Sequence, residues 1–134
     1  MRAPGFLLII GLFCLPAVAH AQSGAGARFD GTYRFVSSAK VTQSYTAKGG
    51  ASAPCPDRGS GTLTIARGQA HYTSETGREV NGTVGPQGEL VMRAVEPGES
   101  RPVELKVNGS ADAAGTARAR QSGFGCSYDF VWQK

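Results

Sequence analysis

From residue 29 onward the chain is a series of short stretches in which apolar and polar residues alternate, each ended by glycine. None of it places apolar residues at i, i+3, i+4 and i+7 over three turns, as an amphipathic helix requires. A period of two puts every second side chain on one face of an extended strand, so the chain reads as strands and turns. Phe29–Val41 carries Tyr33 and Phe35 on one face, and Thr62–Ala66 carries Leu63 and Ile65. Gln69–Ser74, Arg78–Val84 and Glu89–Val95 follow across turns at Arg67-Gly68, Thr76-Gly77 and Pro86-Gln87-Gly88. Arg101–Ser110 aligns Val103, Leu105 and Val107; Thr116–Gln121 and Cys126–Gln133 complete the set. Gln43–Ser60, with Gly49-Gly50, Pro54 and Pro56, reads as one long loop.

Eight strands at intervals of about 8–12 residues predict an all-β domain. Short connections favour antiparallel neighbours, and the simplest order is an up-and-down meander. An eight-stranded meander that closes into a small β-barrel loses its exposed edges. The aromatic residues favour closure: Phe29, Tyr33 and Phe35 lie in the first strand and Tyr128, Phe130 and Trp132 in the last, where pairing of the chain's two ends brings them together. A two-sheet β-sandwich fits the same pattern. Val80-Asn81-Gly82-Thr83 recurs as Val107-Asn108-Gly109-Ser110, and each copy reads as a strand running into a hairpin.

The first residues follow a different pattern. Arg2 precedes the apolar run Phe6–Leu15, Pro16 breaks it, and Ala19-His20-Ala21 supplies small residues at both positions a signal peptidase pocket requires. Residues 1–21 therefore read as a signal peptide cut between Ala21 and Gln22. The run is shorter than the roughly 20 residues a membrane span needs, so no stable membrane insertion is expected after cleavage. Lipidation at Cys14 is disfavoured by Phe13, where a small residue belongs. Residues 22–28 are Ser-, Gly- and Ala-rich and read as a flexible leader, and 29–134 as a single domain. The expected location is periplasmic or secreted.

Of the three cysteines, Cys14 leaves with the signal. Cys55 and Cys126 remain, and an even count in an oxidising compartment implies a disulfide between them. Their only rival role, ligation of a soft metal, calls for close pairs and further partners. His71, the one histidine beyond the signal, stands alone in an alternating segment and has no grouped co-ligands. No metal site and no cofactor is expected.

The chain has 14 basic and 10 acidic residues. The basic ones are scattered, with no stripe such as a nucleic-acid surface shows and no basic helical face. Arg118 and Arg120 alternate with Ala117 and Ala119. With the alanines inward they leave room for the large side chains of the last strand; with the register reversed, two cations line the interior at a high desolvation cost unless paired. Tyr128, Phe130 and Trp132 form the densest apolar stripe, either the wall of a ligand cavity or the core of a filled barrel. Asn81 and Asn108 match the N-glycan acceptor pattern, which matters only in a host that glycosylates. No nucleophile elbow, zinc-protease motif or phosphate loop is present. Glu75 and Glu79 are placed to meet across a hairpin. No catalytic residue is assigned, and an enzyme is the least favoured class.

Phe29-Asp30-Gly31-Thr32-Tyr33, the Gly-x-Leu-x-Ile segment at 61–65 and Cys126-Ser127-Tyr128 resemble a broad set of small exported proteobacterial β proteins. Gly31-Thr32-Tyr33 is also similar to the opening of lipocalin-like and avidin-like barrels, with Tyr where Trp is usual. The chain is shorter than most lipocalins and lacks their terminal helix pattern, and none of their ligand residues carries over. The leading reading is an exported, non-catalytic binding module for a small ligand or an envelope partner. The other reading is a protein-interaction or inhibitor module that works through the Cys55 loop, since loops on rigid scaffolds commonly carry binding.

Overall fold

A computed structural model of the chain describes residues 27–97 and 101–134. The signal segment, its cleavage point and residues 22–26 lie outside the described residues.

Alternation does what it should in β4 (Leu63–Ala66), where Leu63 and Ile65 are buried and Thr64 and Ala66 exposed. The same in–out pattern runs through β5 (Gln69–Thr73), β6 (Glu79–Val84), β7 (Glu89–Glu96), β8 (Val103–Ala111), β9 (Thr116–Gly123) and β10 (Cys126–Gln133). These seven pair antiparallel in chain order, and β1 (Gly31–Lys40) joins β10 to β4. The result is a closed eight-stranded up-and-down barrel, not a sandwich. Two-residue turns at Arg67-Gly68 and Phe124-Gly125 have positive φ at both positions (53° and 77°, 54° and 78°). That geometry matches the twist of the strands it joins.

β1 serves two neighbours. Gly31–Tyr33 pairs with β4, and Arg34–Lys40 pairs with β10. A bulge at Val36 separates the Phe35 and Ser37 pairings and leaves Val36 exposed. Bulges bend and twist a strand, which lets one strand turn the corner that closes the barrel.

The interior is filled. Tyr33, Leu63, Tyr72, Val80, Val107, Phe130 and Trp132 are fully buried. Tyr128, Phe130 and Trp132 point inward together; Phe35 meets Phe130 edge-on at 5.7 Å and Tyr72 meets Trp132 at 5.4 Å. Ala119 stands opposite Phe130 and Ala117 opposite Trp132, so small residues of β9 make room for large ones of β10. Arg118 and Arg120 therefore face solvent. Arg120 grips Asp129 through two hydrogen bonds of 2.8 and 3.0 Å. Those bonds hold the Asp129 carboxyl below its ordinary pKa and raise the Arg120 guanidinium.

Two local readings of the sequence need correction. Phe29 is not in a strand: Ala27–Phe29 forms a 3-10 turn that tucks its ring under the barrel. Tyr33 Oη donates to the Phe29 carbonyl at 2.6 Å, and the Asp30 carboxylate accepts from the Arg67 N–H, fastening that plug. The long loop contains a ribbon, β2 (Ser44–Thr46) with β3 (Ser52–Pro54), whose three-residue strands are too short to show alternation. As the alternation places them, Asn81-Gly82 and Asn108-Gly109 lie within β6 and β8. There Gly82 and Gly109 occupy inward positions, where an added Cβ would stand 2.0 Å from the carbonyl oxygens of Val91 and Arg118. The repeated motif marks two places where neighbouring backbones approach too closely for any side chain.

Candidate functional site

The two ends of the barrel differ. The Phe29 plug closes one. Over the other lies the segment that follows β1, and its course is fixed bond by bond. The Cys55 N–H donates to the Gln43 carbonyl, and Cys55 is joined to Cys126 at the start of β10 (S–S 2.05 Å). Tyr128 Oη donates to the Pro56 carbonyl at 2.7 Å, and Trp132 Nε1 to the Gly61 carbonyl at 3.1 Å. The Gly59 N–H donates to the Glu75 carboxylate, the Gly61 N–H to the Thr73 carbonyl, and Lys40 pairs with Asp57 at 2.9 Å. The expected disulfide is thus one of several ties between this loop and the barrel rim, and a pairing of this kind belongs to oxidising, extracytoplasmic settings.

The strapped loop does not seal the mouth. Between it, the β2–β3 ribbon, the β5–β6 turn and the ends of β8, β9 and β10 is a cleft of about 620 Å³. Ligand pockets commonly span about 300–1,000 Å³, and barrel mouths are a usual place for them. Leu105, Gln121 and Tyr128 form its floor, and Tyr45 and Phe124 contribute aromatic walls. Tyr45 is half-buried and packs on the core.

The polar groups of the cleft are unevenly charged. Lys48, Arg58 and Arg101 line it against one carboxylate, Glu75, among the described residues. Gln121 is 7% exposed and projects from β9 at an inward position, in series with Ala117 and Ala119. Its Oε1 accepts from Tyr72 Oη at 2.6 Å. Its Nε2 makes no hydrogen bond to the described residues. Since among the described residues no fully enclosed side-chain nitrogen or oxygen lacks a partner, that nitrogen reaches open space at the cleft Gln121 lines.

Phe124 is the other unusual element. It sits at φ 54°, in the left-handed region that bulky side chains avoid, and the residue is 44% exposed. Two-residue hairpins prefer Asn, Asp or Gly at such a position, so neither backbone comfort nor burial accounts for phenylalanine there.

Other residues singled out in the sequence lie away from this mouth. Of the aromatic stripe only Tyr128 lines the cleft; Phe130 and Trp132 are core. His71 is on the outer wall, with Nδ1 2.8 Å from Asn81 Oδ1 and Nε2 2.8 Å from the Glu79 carboxylate. Glu79 also accepts from Thr73 Oγ1, while Glu75 is engaged with Gly59. The two carboxylates therefore serve different partners. Asn81 and Asn108 are exposed on the outer face. Among the described residues no three His, Cys, Asp or Glu side chains are grouped to hold a metal. Of the cleft residues, Tyr128 was singled out in the sequence as part of the aromatic stripe, and Tyr45, Lys48 and Arg58 lie in the long loop around Cys55. Arg101, Gln121 and Phe124 carried no signal, because they join the others only when the barrel closes.

Fold and site together define an antiparallel barrel with a filled interior, one plugged end and one strapped, open mouth. No known family model matches the chain, and neither a curated protein nor a solved structure matches it.

Proposed function

We propose that the protein is an exported binding module that takes a small ligand in the cleft at the barrel mouth. The observation that carries this reading is the cleft of about 620 Å³ whose walls are held open by the Cys55–Cys126 bond and the hydrogen bonds around it. Binding to a preformed site avoids the ordering cost that a flexible loop would incur. The Ala19-His20-Ala21 leader and the disulfide support a periplasmic or secreted location.

A second reading draws on the same loop. Asp57 is almost wholly exposed while the backbone around it is pinned, as suits a rim gripped by a partner protein. Native mass spectrometry of protein purified from an exporting host separates the two. The small-ligand reading expects an adduct of a few hundred daltons in native spectra, absent after denaturation and absent from Val103→Trp, which fills the cleft. A denatured mass starting at Gln22 accompanies it. No adduct, together with no cleft resonance shifting in NMR titrations with small-molecule mixtures, overturns the reading. Co-purification of a protein that Val103→Trp leaves bound favours the rim.

A further inference from the structure

The geometry points to the chemical class of the ligand: a small aromatic or apolar organic anion, with its ring between Phe124 and the Leu105 floor and its charge toward Arg58, Arg101 and the Gln121 amide. This rests on the mouth being the binding site.

Three independent features of the cleft carry it. The first is charge. Among the described residues Arg58 and Arg101 form no ion pair and share the cleft with one carboxylate, Glu75, which already accepts the Gly59 N–H. Guanidinium groups present planar donor pairs that match carboxylate, sulfonate and phosphate oxygens. The second is the Gln121 amide. Its oxygen is occupied by Tyr72, so the group that remains for a ligand at the cleft floor is a donor, on a residue more than nine-tenths buried. That nitrogen is open to the cleft, and an anion's oxygen can accept from it in a charge-assisted hydrogen bond. The third is Phe124, an exposed ring kept in a strained backbone conformation. Strain at one residue of a binding cleft is a recurrent mark of a working position, and an aromatic face offers stacking to a flat apolar body. A cation would meet repulsion from the arginines, and a sugar would leave the Phe124 ring and Leu105 against polar surface.

Two fluorescent probes of the same shape test the class. 8-Anilinonaphthalene-1-sulfonate carries a sulfonate; N-phenyl-1-naphthylamine is its uncharged parent. Titrated into the folded, disulfide-bonded protein at low salt, the sulfonate is expected to saturate one site at least tenfold more tightly than the parent. NMR shifts should concentrate at Phe124, Leu105 and Gln121. Arg58→Gln with Arg101→Gln should weaken the sulfonate fivefold or more and leave the parent within twofold. Both variants are at the exposed or half-exposed rim, so folding is not at stake. Phe124→Asn should weaken both probes at least threefold while the melting temperature holds or rises, since Asn tolerates the left-handed region. A purely structural Phe124 would give the opposite pair of results. 1-Naphthoate and 1-naphthyl phosphate, as competitors, rank the carboxylate against the phosphate monoester, and failure of both to displace the sulfonate overturns the class. Equal affinity for the two probes, unmoved by the arginine substitutions, overturns the anion and leaves the mouth as a site. Absence of binding by either probe overturns both.

Discussion

Replacing Gly109 with alanine adds one carbon in the wall of the barrel, and the structure says where it goes. The new Cβ would stand 2.0 Å from the Arg118 carbonyl oxygen, 2.5 Å from Ala119 Cα and 2.6 Å from Ala119 Cβ. A carbon in contact with a carbonyl oxygen keeps about 3.3 Å or more, so β8 and β9 must part by roughly 1.3 Å at this point. In a closed barrel neither strand can move freely, because each is hydrogen-bonded on its other side as well. Overpacking of this kind costs about 1–3 kcal/mol, and two stretched ladder hydrogen bonds add roughly 0.5–1.5 kcal/mol each. Alanine returns about 0.4–1 kcal/mol by restricting the unfolded chain. A net loss of about 3 kcal/mol is a large part of the roughly 5–15 kcal/mol that holds a domain together. Urea unfolding followed by Trp132 emission reads it directly: with a slope of about 1–3 kcal/mol per molar, the midpoint should fall by roughly 1–3 M. Ala119→Gly in the same chain removes one of the clashing carbons and should restore part of the loss, while Asn108→Ala, one residue away and outward, should change little. A Gly109→Ala midpoint within about 0.3 M of the parent protein's would refute the close-approach argument.

Removing the Cys55–Cys126 bond by a double serine substitution releases a loop of 71 positions. The chain-entropy relation then gives a loss of about 4 kcal/mol, and a thermal midpoint lowered by less than about 5 °C would argue against it. Tyr33→Phe deletes the hydrogen bond to Phe29 and leaves that carbonyl unsatisfied, for an expected loss of about 1–2 kcal/mol at neutral pH in thermal or urea unfolding. Burial first, and then the charges of Asp112 and Asp30, raise the Tyr33 pKa. Its contribution is therefore complete below the unfolded phenol pKa near 10 and is lost as pH rises through the higher folded value. The parent protein should lose stability over that alkaline range more steeply than Tyr33→Phe, and parallel profiles would count against the assignment. The Arg120–Asp129 pair has the opposite sign. Asp129 is depressed, so its stabilisation is present above the ordinary carboxylate pKa and disappears as pH falls through the folded value. At this exposed site Asp129→Asn should cost less than about 1 kcal/mol at pH 7, with the difference vanishing in acid.

How much of this was written locally in the chain can be judged residue by residue. The barrel strands were legible because Leu63 and Ile65, or Val103, Leu105 and Val107, repeat at the period that only a strand presents to one core. Closure was legible because Tyr33 and Phe35 near one end of the chain and Phe130 and Trp132 near the other are large apolar side chains that meet only when the first and last strands pair. The Asn-Gly pairs were read within strands although the dipeptide favours a turn, and the structure uses the second residue's lack of a side chain. The ribbon was missed because three residues carry no period. The mouth was the least legible part, since Tyr45, Arg58, Arg101, Gln121 and Phe124 come from separate segments with no shared motif. Only the pairing of β1 with β10 and the strap across the rim bring them to one cleft.

The double role of β1 also sets an order of events. Until β10 is in place, β4 to β9 can form only an open sheet, and all of β1 beyond Tyr33 has no neighbour. Cys126 opens that same last strand. The seam and the covalent bond thus share one element, so the paired β10 holds Cys126 where the strapped loop brings Cys55. The bond therefore staples the strand that closes the barrel, and a cut anywhere between residues 55 and 126 would leave the two pieces covalently joined.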